Sequence, residues 1–91
     1  MLTIYKYPVP VEDSFTLDLP EGFRVLAIQE QHGAPQLWAM VDADGKKQPE
    51  QFALRGTGHN CDGLGFAEHV GTFQLSSGAL VFHVFHLRSI R

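Results

Sequence analysis

The chain has one cysteine, Cys61, in 91 residues, so no disulfide can form within it and a disulfide-stapled secreted module is excluded. Long apolar runs are also missing. No stretch approaches the roughly 18 apolar residues of a membrane-spanning helix, and no charged segment followed by a long apolar one marks the chain for export. Basic charge is scarce too: seven Lys and Arg against ten Asp and Glu leave a net charge of −3. Nucleic-acid binding without sequence preference needs many phosphate-neutralising contacts. Apart from Lys46-Lys47 and the neighbours Arg88 and Arg91, the cations are scattered. Neither membrane association nor direct sequence-specific nucleic-acid binding is expected, and a reducing cytoplasm is the expected compartment.

Helical periodicity is the next absence. Apolar residues never recur at i, i+3, i+4, i+7 long enough for a helix, and Asp13-Ser14 or the stretch from Gly65 to Glu68 has room for one turn at most. There is no internal repeat and no low-complexity segment.

Period two is what the sequence does contain. Residues 68–87 read as two apolar runs around Ser76-Ser77-Gly78, the second rich in β-branched and aromatic residues, the pattern of a hairpin near the centre of a sheet. Earlier, Leu2 to Tyr7 reads as a short edge strand ended by Pro8-Val9-Pro10, whose rings cannot donate to a ladder. Phe15, Leu17 and Leu19 alternate with Thr16 and Asp18 as a half-buried strand, closed by the turn residues Pro20-Glu21-Gly22. Phe23 to Gln31 and Gln36 to Asp42 form a hairpin around Gln31-His32-Gly33-Ala34-Pro35. A polar turn at Ala43-Asp44-Gly45-Lys46-Lys47 leads to a short strand at Gln51 to Arg55, and Ser89-Ile90-Arg91 follows the last strand. Six to seven strands joined by tight turns predict a single all-β domain over residues 1–91, a compact antiparallel β-sandwich or small barrel. So short a chain hides only about 60% of its unfolded surface, which makes a homo-oligomer the expected state.

Residues 56–66 are the one long irregular segment, holding four of the nine glycines. Loops of that length in small domains often carry function. Gly56, Thr57, Gly58, His59, Asn60 and Cys61 are therefore candidate ligand-binding residues, with glycine N–H groups available to an anion. No Lys-Ser or Lys-Thr pair and no helix follows, so neither nucleotide-binding fingerprint is complete, and a plain flexible turn is the alternative. Cys61 with His59 or His69 has the chemistry of a thiol nucleophile and its base, or of a metal site. Zinc spacings are absent, and a lone cytoplasmic cysteine is usually an inert small side chain. Asp42, Asp44, Glu50, Asp62 and Glu68 are expected mostly in turns, unsuited to paired-carboxylate catalysis. No catalytic residue, metal or cofactor is assigned. His83 and His86, three apart on a strand, point to opposite faces and cannot share one ion without a bulge. Together with Trp38 and Phe85 they are candidate interface residues, or core residues with satisfied hydrogen bonds.

Several blocks carry a family resemblance: Lys6-Tyr7-Pro8, Leu19-Pro20-Glu21-Gly22, Val25 to Gln29, Pro35 to Asp42, Gly56-Thr57-Gly58-His59, Gly71-Thr72-Phe73-Gln74-Leu75 and Leu80 to Phe85. The chain resembles an uncharacterised family of short tailed-phage and prophage proteins, grouped as a domain of unknown function, over nearly its whole length. That resemblance supplies no catalytic residues. It implies a protein made in an infected bacterial cytoplasm, where small non-virion phage proteins often act by binding. The leading expectation is a non-enzymatic binding protein that antagonises a bacterial host target such as a defence system. The alternatives are a sponge for a small signalling nucleotide at a subunit boundary, a small hydrolase or metal-binding protein, and a virion assembly component.

Overall fold

The computed structural model describes residues 1–88, which form seven antiparallel β-strands and one 3₁₀ turn. The strands are β1 (Leu2–Pro8), β2 (Ser14–Pro20), β3 (Arg24–Gln31), β4 (Ala34–Asp42), β5 (Lys47–Gly56), β6 (Glu68–Leu75) and β7 (Leu80–Leu87). They build a three-stranded sheet in the order β1-β4-β3 and a four-stranded sheet in the order β2-β5-β7-β6. Ser89-Ile90-Arg91, read as the tail after the last strand, lies outside the described residues.

The predicted all-β class and most strand positions agree with the structure. The β3–β4 hairpin turns at His32-Gly33, both with positive φ (54° and 84°), the two-residue geometry that suits the twist of the flanking strands. Three expectations need correction. The hairpin of residues 68–87 does not sit at the centre of a sheet: β7 is interior, but β6 is an edge strand. Its half-polar sequence, with Glu68, His69, Thr72 and Gln74, is that of a strand with one open side. The helical turn falls at Ser76–Gly78 instead of Asp13-Ser14 or Gly65 to Glu68, because the chain must reverse there between β6 and β7. β5 starts at Lys47, four residues before the predicted Gln51. Its first half pairs with β2 alone, and β7 joins only from Gln51 onward. Pro49 is tolerated there because a strand with one free side leaves room for a residue without an N–H.

The inner faces of both sheets meet in one apolar cluster. β4 contributes Leu37, Ala39 and Val41, and the opposing sheet contributes Leu19, Phe52, Leu54, Phe73 and Val84, all nearly or fully buried. Phe15 stacks on Phe52 at 5.2 Å between ring centroids. Each fully buried side chain of this size contributes about 1.5–3 kcal/mol. At one margin β3 runs beside β6 without a ladder, and Gly71 lies so close to Ile28 that a Cβ there would come within 2.9 Å of Ile28 Cγ1. Absence of a side chain at residue 71 is what lets the two sheets converge on that side. Val25 and Ala27 flank a bulge that leaves Leu26 unpaired and 41% exposed.

Candidate functional site

Where β3, β5, β6 and β7 end together, the gap between the sheets opens into a cleft of about 570 Å³. Phe23, just before β3, and Val25 on it line the cleft, with Glu50 from β5, Glu68 from the start of β6, and His86 and Arg88 from the end of β7; Arg24, between them, pairs with Met40 of β4 and so starts on the outer face of the three-stranded sheet. Strand pairing explains the convergence. Phe52 lies opposite His86, and Glu68 lies opposite His86 on the other side, so three strands aim polar side chains at one point.

His86 Nε2 and Glu50 Oε1 are 2.7 Å apart, at 12% and 22% exposure. An ionised carboxylate can only accept, so His86 donates from Nε2 and its Nδ1 is the acceptor in the neutral ring. The imidazole lies edge-on to Phe23 at 5.3 Å and tilted against Phe52 at 5.1 Å, which fixes its plane. Arg88 donates to Glu68 at 3.0 Å. Among the described residues the Arg24 guanidinium has no carboxylate partner within ion-pair distance. The cleft thus holds the Arg88–Glu68 ion pair, an imidazole oriented by Glu50 and an aromatic wall.

A second polar group decorates the outer face of the four-stranded sheet. His69 Nε2 is 3.0 Å from Thr72 Oγ1, which is 2.9 Å from His83 Nδ1, and His83 Nε2 is 2.8 Å from Thr57 Oγ1. Both nitrogens of His83 are engaged, so in the neutral ring one donates to a threonine and the other accepts from the second. Phe85 packs edge-on against His69 at 5.5 Å.

The candidate loop is tied to this face by Thr57 and to the sheet by Arg55. The Arg55 guanidinium donates through Nε to Asn60 O at 3.1 Å, and through one terminal nitrogen to the Asp13 and Leu54 carbonyls at 2.8 and 2.9 Å. Asn60 Oδ1 accepts from the Asp62 amide at 2.7 Å. Beside Gly56 lies the His59 ring, 2.8 Å from where a Cβ would sit. Gly58 has φ +87° with open space around it. The exposed Cys61 thiol lies 3.6 Å from the His59 carbonyl, not its ring. Among the described residues no three His, Cys, Asp or Glu side chains are arranged to hold one metal ion.

The predicted interface residues do not form one surface. His83 and Phe85 share the outer face of the four-stranded sheet, and His86 lines the cleft on the opposite side of β7, as a spacing of three on a strand requires. Trp38 lies on the outer face of the other sheet, opposite Lys6. Glu50, expected in a turn, and Glu68, the first residue of the predicted 68–87 hairpin, stand on strands within the cleft. Phe23, Arg24, Glu50, Glu68 and Arg88 were not among the sequence candidates. The one local hint was a carboxylate inside a polar half-strand, Gln48-Pro49-Glu50.

Two antiparallel sheets sharing a core, with a polar cleft at one end, define a small all-β protein that carries its charged side chains at the strand ends. Residues 1–90 match the family described as a domain of unknown function (DUF7352), and the chain belongs to that family. No curated protein and no solved structure matches it.

Proposed function

We propose that the protein works by binding, not catalysis, as a small phage-encoded antagonist of a bacterial host protein, such as a component of a defence system, in the host cytoplasm. In this reading the two sheets are the layers of a compact antiparallel β-sandwich, which leaves both outer faces open to partners. One observation carries the reading, the apolar outer face of the three-stranded sheet. Leu2 is 71% exposed and Ile4 54%; Ile4 pairs with Met40, and Trp38 follows two residues before on the same face. Leu26, lifted out by the β3 bulge, is a further exposed apolar side chain. Contiguous apolar surface on a small chain marks an interaction site, and a half-buried tryptophan among aliphatic neighbours has the composition of a binding anchor. A second copy competes for the same surface, since a chain this short gains stability by self-association.

The test compares the wild-type chain with an Ile4→Lys/Met40→Lys double variant, both checked for a folded spectrum, in retention of proteins from bacterial lysate at moderate salt. The expected result is a discrete host protein held by the wild type and lost by the variant. Equal retention by the two, or none by either, overturns the reading. A concentration-dependent dimer abolished by the same substitutions assigns the face to self-association instead.

A further inference from the structure

We propose that the open edge of β1 pairs with the same edge of a second copy of the chain, antiparallel about a two-fold axis at Ile4, so that the two three-stranded sheets become one. The contact lies at the margin of the sheet, not across its outer face, and does not depend on the host-partner reading.

Four strands have a side without a ladder: β1 and β3 in one sheet, β2 and β6 in the other. Such edges are templates for a further strand unless something blunts them. β3 and β6 are each interrupted by a bulge and run beside one another, so neither offers a straight edge. On β2, Leu54 N–H donates to the Asp13 carbonyl at 3.0 Å, and with Ser14 opposite Ala53 the ladder turns the backbone groups of Ser14, Thr16 and Asp18 outward. Those residues suit water. β1 is both unbroken and apolar, with a register against β4 that runs from Leu2 to Pro8 without a shift.

Its backbone groups fall into two sets. Ala43 N–H donates to the Met1 carbonyl at 2.9 Å, and Val9 N–H to the Pro35 carbonyl at 3.1 Å. On that register the odd-numbered residues bond to β4, and Leu2, Ile4 and Lys6 point N–H and C=O away from it. Pro8, next in the series, has no N–H, so the open ladder ends there. A second β1, antiparallel with Ile4 opposite Ile4, places Leu2 opposite Lys6, and each pair exchanges both hydrogen bonds. On the inward side the same register sets Thr3 beside Tyr5 of the other copy. Tyr5 is opposite the buried Ala39, yet it is 43% exposed because β1 makes no extended contact with the four-stranded sheet. A second copy covers what the opposite sheet does not.

Charge says why the added strand is this chain's own. Beside Leu2, the Met1 ammonium binds two carboxylates, Asp42 and Asp44, which leaves that corner one negative charge in excess. Lys6 donates to Gln31, and among the described residues it has no carboxylate within ion-pair distance. With strands about 4.8 Å apart, the axis at Ile4 brings Lys6 of each copy to about 10 Å, Cα to Cα, from Asp42 of the other, within the joint reach of the two side chains. An axis at Tyr5 would set Lys6 beside Ile4 instead, away from the carboxylates. Charge pairs of this kind fix register more than they add affinity, and a two-fold contact uses the match twice.

The experiment measures self-association of the full chain by sedimentation, together with amide hydrogen exchange at low and high protein concentration. Three variants accompany the wild type, each checked for a folded spectrum. Ile4→Pro keeps an apolar side chain and the ladder to β4 but removes an outward N–H, which an edge strand tolerates. Ala27→Lys charges the middle of the outer face, opposite Trp38 and far from the edge. Lys6→Glu sets like charge against the carboxylates of the other copy. The wild type is expected to dimerise at high micromolar concentration, with exchange slowed at Leu2, Ile4 and Lys6 and unchanged at Thr3 and Tyr5, which already bond to β4. Ile4→Pro should weaken the dimer by on the order of tenfold or more, since each copy loses a donor. Ala27→Lys should dimerise like wild type, and Lys6→Glu more weakly, with salt narrowing the difference. A wild type that stays monomeric at millimolar concentration overturns the proposal, as does a dimer that survives Ile4→Pro or protects the odd-numbered amides instead. Loss of the dimer in Ala27→Lys moves the contact to the outer face and overturns it too, and Lys6→Glu association equal to wild type overturns the register.

Discussion

At the scale of single residues, the close approach of β3 and β6 turns on Gly71. Its missing Cβ faces Ile28, a buried β-branched side chain with little freedom to move. Gly71→Ala is expected to destabilise the fold by about 1–3 kcal/mol, as overpacking does, seen as a lower urea midpoint with an unchanged slope. At the other end of the molecule, the Met1 ammonium donates to Asp42 at 3.0 Å and to Asp44 at 3.2 Å. The Met1 hydrogen bond, then the Asp44 amide, hold the Asp42 carboxyl below its ordinary value of 3.8, and Asp42 in turn raises the Met1 amine above 8.0. The depressed carboxyl contributes stability above its unfolded pKa and loses it as pH falls through the folded one. The raised amine contributes below its unfolded pKa and loses it as pH rises through the folded one. The pair therefore acts between the two ranges, and full exposure keeps its effect small. Acetylating Met1 is expected to move the Asp42 midpoint upward toward the ordinary range in an NMR titration.

Among the elements, the β3–β4 hairpin carries a non-glycine residue, His32, at φ 54°. Asn at the first position of such a turn is the favoured partner of glycine, so His32→Asn is expected to raise stability by up to about 1 kcal/mol in denaturant unfolding. The same element shows how far the sequence could be read. Gly33 announced the turn and the alternation of Phe15, Leu17 and Leu19 announced β2, because both signals are local. The start of β5 was hidden by Lys47, Gln48 and Pro49, residues that fit a strand only when one side of it is open. The cleft was hidden more completely. Its parts come from four separate stretches, and although the β6–β7 hairpin aligns Glu68 with His86, the β5–β7 register that brings Glu50 beside them joins strands distant in sequence, for which a single chain carries no pairing signal. The spacing of His83 and His86 did give their opposite faces, since alternation along one strand is again local.

For the molecule as a whole, the governing dimension is thickness. The Cα envelope measures 38 × 35 × 16 Å, so the apolar side chains that the two sheets share form a thin core layer. Phe52, fully buried between Phe15 and the His86 ring, is the largest member of that layer. Phe52→Ala is expected to cost about 3–5 kcal/mol, a large share of the roughly 5–14 kcal/mol available to a domain of this length. Circular dichroism should show a melting temperature lowered by well over ten degrees, since about 1 kcal/mol shifts it by roughly 4–8 °C at this size.

The ladder order has a consequence for how the protein is made. β1 leaves the ribosome first, yet its hydrogen-bonding partner β4 ends at Asp42, forty residues behind Leu2; β2 likewise waits for β5, and β5 for β7. Only the β3–β4 and β6–β7 hairpins can close as they emerge. Stopped-flow refolding should accordingly be slow, in the millisecond-to-second range of chains dominated by distant pairings. During translation the bare apolar ribbon of Leu2, Ile4 and Tyr5 is the segment in need of a chaperone.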